Sequence, residues 1–377
     1  MKLKFYILIF LAVIVSFLSV KSVNAQGCVA VRNMATCSLG PDSVYHKGLQ
    51  LSANYRYFRS FRHYKGKVEQ VERLENGTEV INHDNSIIIG AAYSISKSFS
   101  ASISIPLMYI DRSSMYEHLG NNSGQRFYTS SQGLGDIRLT GYWHVLPNYH
   151  KGSLIIGLGA KLPTGDYNYT DEFVKPDPNH DGETILVEQP VDQSIQPGDG
   201  GLGIIAELNF THLVAGRFYG YAQGLYMSNP RNTNGTLRSP NLTNGIALSN
   251  EFSVVDQFLV RGGVQYIHNG WQIGLGLRYE GIPVYDLIGD SDGFRRPGYI
   301  ISYEPSVFYT FKKHTVGLNI PIVRLPDELG SADIGARNRT QSHIDKQRTE
   351  ITGTYQHGDA AFADWLISVT YSYRLSL

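Results

Sequence analysis

The chain has almost no cysteine, little charge and, after its first twenty residues, no long apolar run. Cys28 and Cys37 are the only thiols in 377 residues, which leaves at most one disulfide and too few sulfurs for a thiolate metal site on their own. A small Cys28–Cys37 loop and a pair of free thiols are the two readings. Charged residues make up only 18% of the sequence, and 33 basic side chains balance 33 acidic ones. Without net charge or a basic block the chain has no electrostatic footprint for a nucleic acid. Beyond residue 25 no stretch approaches the roughly 20 apolar residues that a membrane-crossing helix needs, and no helical period is visible there.

The first residues have a different character. Lys2 and Lys4 precede an apolar run over residues 5–20, followed by the small-residue pattern of Val23 and Ala25. This reads as a secretory signal peptide over residues 1–25, since the run is too short for a spanning helix. Residues 26–46 then read as a short periplasmic N-terminal segment carrying both cysteines, and residues 47–377 remain to be explained.

Those residues are rich in tyrosine and glycine, with 25 and 39 in the whole chain, and they alternate. Leu49, Leu51, Ala53, Tyr55 and Tyr57 fall on one parity, while Gln50, Ser52, Asn54 and Arg56 fall on the other. Such a period of two predicts a strand with one apolar and one polar face. The pattern recurs from Ile87 to Ile95 and from Phe99 to Tyr109, and continues to the run through Trp365, Val369, Tyr373 and Leu377. About twelve such strands are expected, joined by turns that alternate strictly between short and long. That ordering predicts an all-β, transmembrane, antiparallel up-and-down barrel in an outer membrane, with short periplasmic turns and long extracellular loops. A soluble sandwich also alternates but has no reason to order its loops this way. Outer-membrane lipid is then the partner of the apolar parity, and Tyr57, Tyr109, Trp143, Trp271 and Trp365 are candidates for its interfacial girdles.

The opposite parity faces the lumen. It carries Arg56, Asp136, Arg138, Lys161, Glu207, Arg261, Arg278, Glu280, Glu304 and Arg374. Charges inside a closed barrel must be paired or wet. Either they neutralise one another across a narrow interior, or they line a water path for small-molecule solutes; twelve strands fall between filled and open barrels, so a restricted pore is expected.

The third long connection contains DPNHDGETILVE, which matches the oxygen-ligand spacing of an EF-hand calcium loop at Asp177, Asn179, Asp181, Gly182 and Glu188. Without flanking helices it is not an EF-hand. A calcium-binding surface loop and an ordinary solvated loop rich in Asp, Asn and Gly are the two readings, and no cofactor is otherwise required. The histidines, His144 among them, have no nucleophile and acid at a spacing that indicates an active site, so a non-enzyme is expected.

Several stretches, GLGDIRL (133–139), KLPTGDYN (161–168), VDQSIQPGDGGLG (191–203), RYEGIPVYDLIGDSDGFRRPGY (278–299) and AFADW (361–365), resemble the outer-membrane protein family labelled MetA-pathway of phenol degradation. The resemblance covers most of the exported chain. It implies an outer-membrane barrel of Gram-negative bacteria that passes small aromatic or hydrophobic compounds, and it supplies no catalytic residue. In the fourth stretch Arg295 and Arg296 can pair with Asp286, Asp290 or Glu280, which suggests a clamp of Asp286, Arg295 and Arg296 over the pore mouth. The rival to a passive channel is a closed barrel whose long loops, supported by calcium, serve as a surface-binding or adhesion platform.

Overall fold

A computed structural model describes residues 48–146, 151–239 and 245–376. The leader, the segment 26–46, Cys28 and Cys37 lie outside the described residues. Twelve strands make the wall: β1 (Gly48–Lys65), β2 (Ile81–Ser94), β3 (Phe99–Ser114), β4 (Arg138–Leu146), β5 (Gly152–Lys161), β6 (Gly203–Ala215), β7 (Phe218–Ser228), β8 (Gln257–His268), β9 (Trp271–Ile282), β10 (Gly298–Phe311), β11 (His314–Asn319) and β12 (Ala360–Ser376). Each pairs antiparallel with its chain neighbours. The last returns to the first, in register from Gly48 opposite Ser376 to Tyr64 opposite Ala360. The sheet is therefore a closed barrel, and its main-chain amides find partners without an exposed edge.

The turns at one end are tight. Asn269 and Gly270 both have positive φ, 49° and 82°, as a two-residue hairpin between right-twisted strands requires. At the other end the connections span residues 66–80, 115–137, 162–202, 229–256, 283–297 and 320–359. The twelve strands and the short–long alternation expected from the sequence are both present. No helix among the described residues is long and apolar enough to cross a membrane.

Burial follows the pleat. Along β9, Trp271, Ile273, Leu275 and Leu277 are exposed, while Gln272, Gly274, Gly276, Arg278 and Glu280 are buried. The same inversion, with apolar side chains outward and polar side chains inward, holds in β1, β2 and β4. An outward band of this kind is unfavourable in water and favourable in hydrocarbon. Trp143, Trp271, Phe218 and Phe311 stand exposed near the short-turn end, and Trp271 packs on Tyr309 with ring centroids 4.5 Å apart.

Two features depart from the sequence reading. Helices do occur outside the wall, over Val71–Glu75 and His343–Thr352. The second is set by local chemistry, because Ser342 and Asp345 form a reciprocal capping box at its start and Gly353 ends it in the left-handed region. It buries only Ile344 among its apolar residues, which is why no apolar period announces it. The inward parity is also less polar than expected: Phe58, Ile88, Met108, Ile110, Ile155, Ile205, Leu225 and Met227 are buried on it.

An arginine placed on the outward face should be costly only within the band. Leu275→Arg, at a position 58% exposed, is expected to lose about 2–4 kcal/mol of unfolding free energy in denaturant titration of vesicle-inserted protein. Leu186→Arg, 61% exposed on a long loop, should change it by less than about 0.5 kcal/mol.

Candidate functional site: the inward-folded mouth of the barrel

The third long connection does two things. Its outer part is a hairpin, Thr170–Pro176 against Thr184–Pro190. Its returning arm, residues 191–201, turns into the barrel mouth, where Val191, Ile195 and Gln196 are almost wholly buried. Val191 and Ile195 pack on Met108 and Ile110 of β3, and this contact accounts for the apolar residues on that part of the inward parity. Ser131 Oγ donates to the Ile195 carbonyl, and Gln196 closes the base of the hairpin by accepting from Tyr169 N at 2.8 Å and donating to Val191 O at 2.9 Å.

Three Gly-Asp motifs hold this arm. In GLGD, the Asp136 carboxylate accepts from Gly165 N of PTGD at 3.0 Å and from Asp199 N of PGDGG at 3.2 Å. Thr164 Oγ1 donates to Gly135 O and accepts from Ile137 N, both at 2.9 Å. Gly198 N donates to Asp166 O at 2.8 Å. A Cβ on Gly198 would lie 2.4 Å from the Gly165 carbonyl oxygen, so the two backbones can meet only as glycines. Lys161 Nζ joins the cluster, bonded to Asp199 and 3.8 Å from Asp136.

A second set of contacts ties the arm to the opposite rim. Arg296 forks onto Asp192, Nη1 to Oδ1 at 2.9 Å and Nη2 to Oδ2 at 2.5 Å. Arg112 lies 3.6 Å from the same carboxylate and is itself bonded to Glu117. Burial opposes ionisation of Asp192, yet Arg112 and Arg296 hold its carboxyl well below the usual range. Of the expected clamp, Arg295 and Asp286 do form a bidentate pair, Nη1 to Oδ1 at 2.8 Å. Arg296 leaves that group and reaches across the mouth to Asp192, a partner more than a hundred positions away that no local pattern announces.

Below the arm the inward charges are paired. Arg278 forks onto Glu280 with both contacts at 2.8 Å, and Glu304 accepts from Arg261 at 3.1 Å and Arg278 at 3.4 Å. Tyr142 donates to Glu207 at 3.2 Å. Arg56 and Arg138 are buried, whereas Arg374 is half-buried near the short-turn end. These contacts match the narrow, self-neutralised interior more closely than a wide water path. At the mouth, a small cavity partly open to solvent lies among the arm, Arg138, Lys161, Arg296, Met227, Phe252, Val255 and Ile282.

The calcium-loop residues are not brought together as the motif requires. Glu188 sits opposite Glu172 on the hairpin stem and accepts from Thr170 at 2.6 Å. Five residues of strand separate its level from that of Asp177, roughly 16 Å along the ladder. Asp177 is used locally, accepting from Asn179 N at 2.7 Å and contacting His180 at 3.0 Å, while Asp181 is exposed. The hairpin register thus overrides the ligand spacing. His144 meets Ser100 Oγ at 2.9 Å, and among the described residues its Nδ1 has no hydrogen-bond partner.

The fold is that of a solved outer-membrane channel. The chain is similar to the COG4313 outer membrane channel from Pseudomonas putida F1, with 12% identity, a TM-score of 0.57, and coverage of 92% of this chain and 100% of that one. Lower similarity extends to a Pseudomonas aeruginosa FadL homologue (9% identity, TM-score 0.39, 94% and 98% covered) and the P. putida toluene transporter TodX (10%, 0.39, 91% and 95%). At those scores the second and third carry no argument. No family model and no curated protein sequence matches the chain.

Asp136 makes the Gly-Asp cluster pH-sensitive. Burial, then the charge of Asp199, push its carboxyl up from 3.8 to about 6 against the pull of Lys161. A folded-state pKa above the unfolded one means that proton uptake stabilises the fold: the contribution is full below about pH 4 and is lost as pH rises through 6. Protection of residues 191–201 in hydrogen exchange, corrected for intrinsic rate, should therefore increase by on the order of 1–3 kcal/mol between pH 7.5 and 4.5. Asp136→Asn should flatten that dependence.

Proposed function

We propose that the chain is a passive outer-membrane channel for small solutes with apolar character, whose extracellular mouth is occupied by its own third loop. The observation that supports this most directly is the combination of an apolar-outward, polar-inward closed barrel with a cavity at the mouth lined by both charged and apolar side chains. The likeness in fold to a solved outer-membrane channel agrees with it. On this reading the lumen-facing ion pairs hold a narrow interior open to water, and the arm over residues 191–201 determines how large a solute can pass. The Asp192–Arg296 fork is the arm's attachment to the far rim. Lipid of the outer membrane surrounds the band between the two aromatic belts, and movement through the channel follows the solute gradient.

The second reading, a surface-binding platform supported by calcium, rests on the Asp177–Glu188 loop and the size of the outer connections, and calorimetric titration of wild type and Asp181→Ala with calcium separates it from the channel.

Removing one partner of a buried ion pair leaves a charge without compensation and costs about 3–5 kcal/mol. Asp192→Asn should therefore loosen the arm. In planar bilayers its single-channel conductance should exceed that of the wild type at least threefold, with a parallel rise in liposome swelling rates for small sugars. Absence of flux through both correctly folded proteins would reject the channel.

A further inference from the structure

Among the cationic side chains of the mouth, one stands apart from the paired ones. Arg238, in the fourth long connection, is half-buried, and among the described residues its guanidinium makes no hydrogen bond or ion pair. It lies over the Phe294 ring, 4.4 Å from the centroid, and Arg296 lies over the same ring at 4.8 Å. Phe294 is fixed by its backbone, N to Glu251 O at 2.6 Å and O from Ser253 N at 3.0 Å, so the two arginines share a rigid support. The carboxylate that acts most strongly on Arg238 is Asp192, which is already held in the fork from Arg296 and lies 3.6 Å from Arg112. Glu117 is taken by Arg112. Asp359, which also senses Arg296, is bonded to His63 and Arg73. Burial and the like charges of Arg296 and Arg348 both disfavour the protonated Arg238. A guanidinium kept cationic there without an acid has an unmet preference for an anion.

The surroundings define what kind of anion. Phe294 packs against Phe252 at 6.3 Å between centroids, and Phe252 lines the mouth cavity together with Met227, Val255 and Ile282. Arg296 borders the same cavity. An oxyanion at the Arg238–Arg296 pair therefore has an apolar wall immediately inward of it, and inorganic anions would leave that wall unused.

We infer that Arg238 and Phe294 form a capture site for small organic carboxylates, the charged group held by the Arg238 guanidinium beside the Asp192-bound Arg296 and the apolar body resting toward Phe252. This deepens the channel reading by naming a solute class, and its test is kept separate from flux. Planar guanidinium forks match carboxylate geometry, and aromatic faces accept an apolar ring beside them.

The experiment is calorimetric titration of the detergent-solubilised full chain with benzoate, benzyl alcohol and inorganic phosphate, at fixed low ionic strength. Benzoate should bind at least tenfold more tightly than either of the other two. Arg238→Gln should weaken benzoate at least fivefold, and Arg238→Lys should recover part of the loss. Strand content by circular dichroism verifies that each variant is folded. Equal affinity for benzoate and benzyl alcohol, equal affinity for benzoate and phosphate, or unchanged benzoate binding in Arg238→Gln would overturn the inference. Bilayer conductance, measured in parallel, decides the channel reading alone: binding without flux leaves the site standing and removes the channel, and flux without selective binding does the reverse.

Discussion

The structure depends first on the seam between β1 and β12. Hydrocarbon offers no partner to a peptide group, so a sheet with a free edge could not remain in it. Pairing from Gly48–Ser376 to Tyr64–Ala360 removes that edge, and every other feature inherits the consequence. Closure forces one parity of each strand outward and the other inward, and so decides in advance which residues meet lipid and which must satisfy each other. The inward network Asn54 to Ser368 and Thr370, at 2.8 and 2.7 Å, straddles the seam and adds side-chain bonds where the main-chain ladder closes last in sequence. Register shifts between Phe58 and Arg62 then bend this pair at the mouth, where bulges commonly redirect strands.

A closed wall of twelve strands leaves a restricted interior, and charge there must be neutralised at short range. The lower wall does so within a strand, as in Arg278–Glu280, and across β8, β9 and β10, where Glu304 takes both Arg261 and Arg278. At the mouth the arm supplies the acids: Asp192 meets Arg296 of the fifth long connection, and Asp199 meets Lys161 at the end of β5. Pairs of the first kind are fixed by the barrel itself. Pairs of the second kind exist only while the arm is docked, so the same chemistry serves rigidity below and adjustable closure above.

This difference also explains what could be read from the sequence. Strand number, polarity of the two faces and the order of the turns follow from local periodicity, and residues such as Arg56, Arg138, Arg278 and Glu304 were placed inward by parity alone. Apolar residues on the inward parity, Met108 and Ile110, broke the pattern because they pack on Val191 and Ile195 of a loop some eighty positions away, a contact that no window of sequence contains. The GLGD and PTGD stretches were visible as motifs, but their joint role arises from Asp136 bonding Gly165 and Asp199 at the rim ends of three adjacent strands. Spacing misled at Asp177 to Glu188, where a hairpin ladder separated ligands that a compact loop would have gathered. The helix from His343 carried its signal in a four-residue capping box rather than in an apolar stripe.

Arg238 illustrates the remaining step from structure to function. Its position in a loop without a recognisable motif made it invisible in sequence, and its aromatic support depends on Phe294 being bonded to the strand at Glu251 and Ser253. Evolution of a stable mouth alone would favour supplying a carboxylate there, as was done for Arg112, Arg295 and Arg296. Three neighbouring guanidiniums with acids and a fourth without one is an arrangement that loses stability in the isolated protein. On the proposed reading, an anion arriving from solution restores the missing interaction only when bound, which favours carboxylate-bearing solutes at a mouth lined in part by apolar residues.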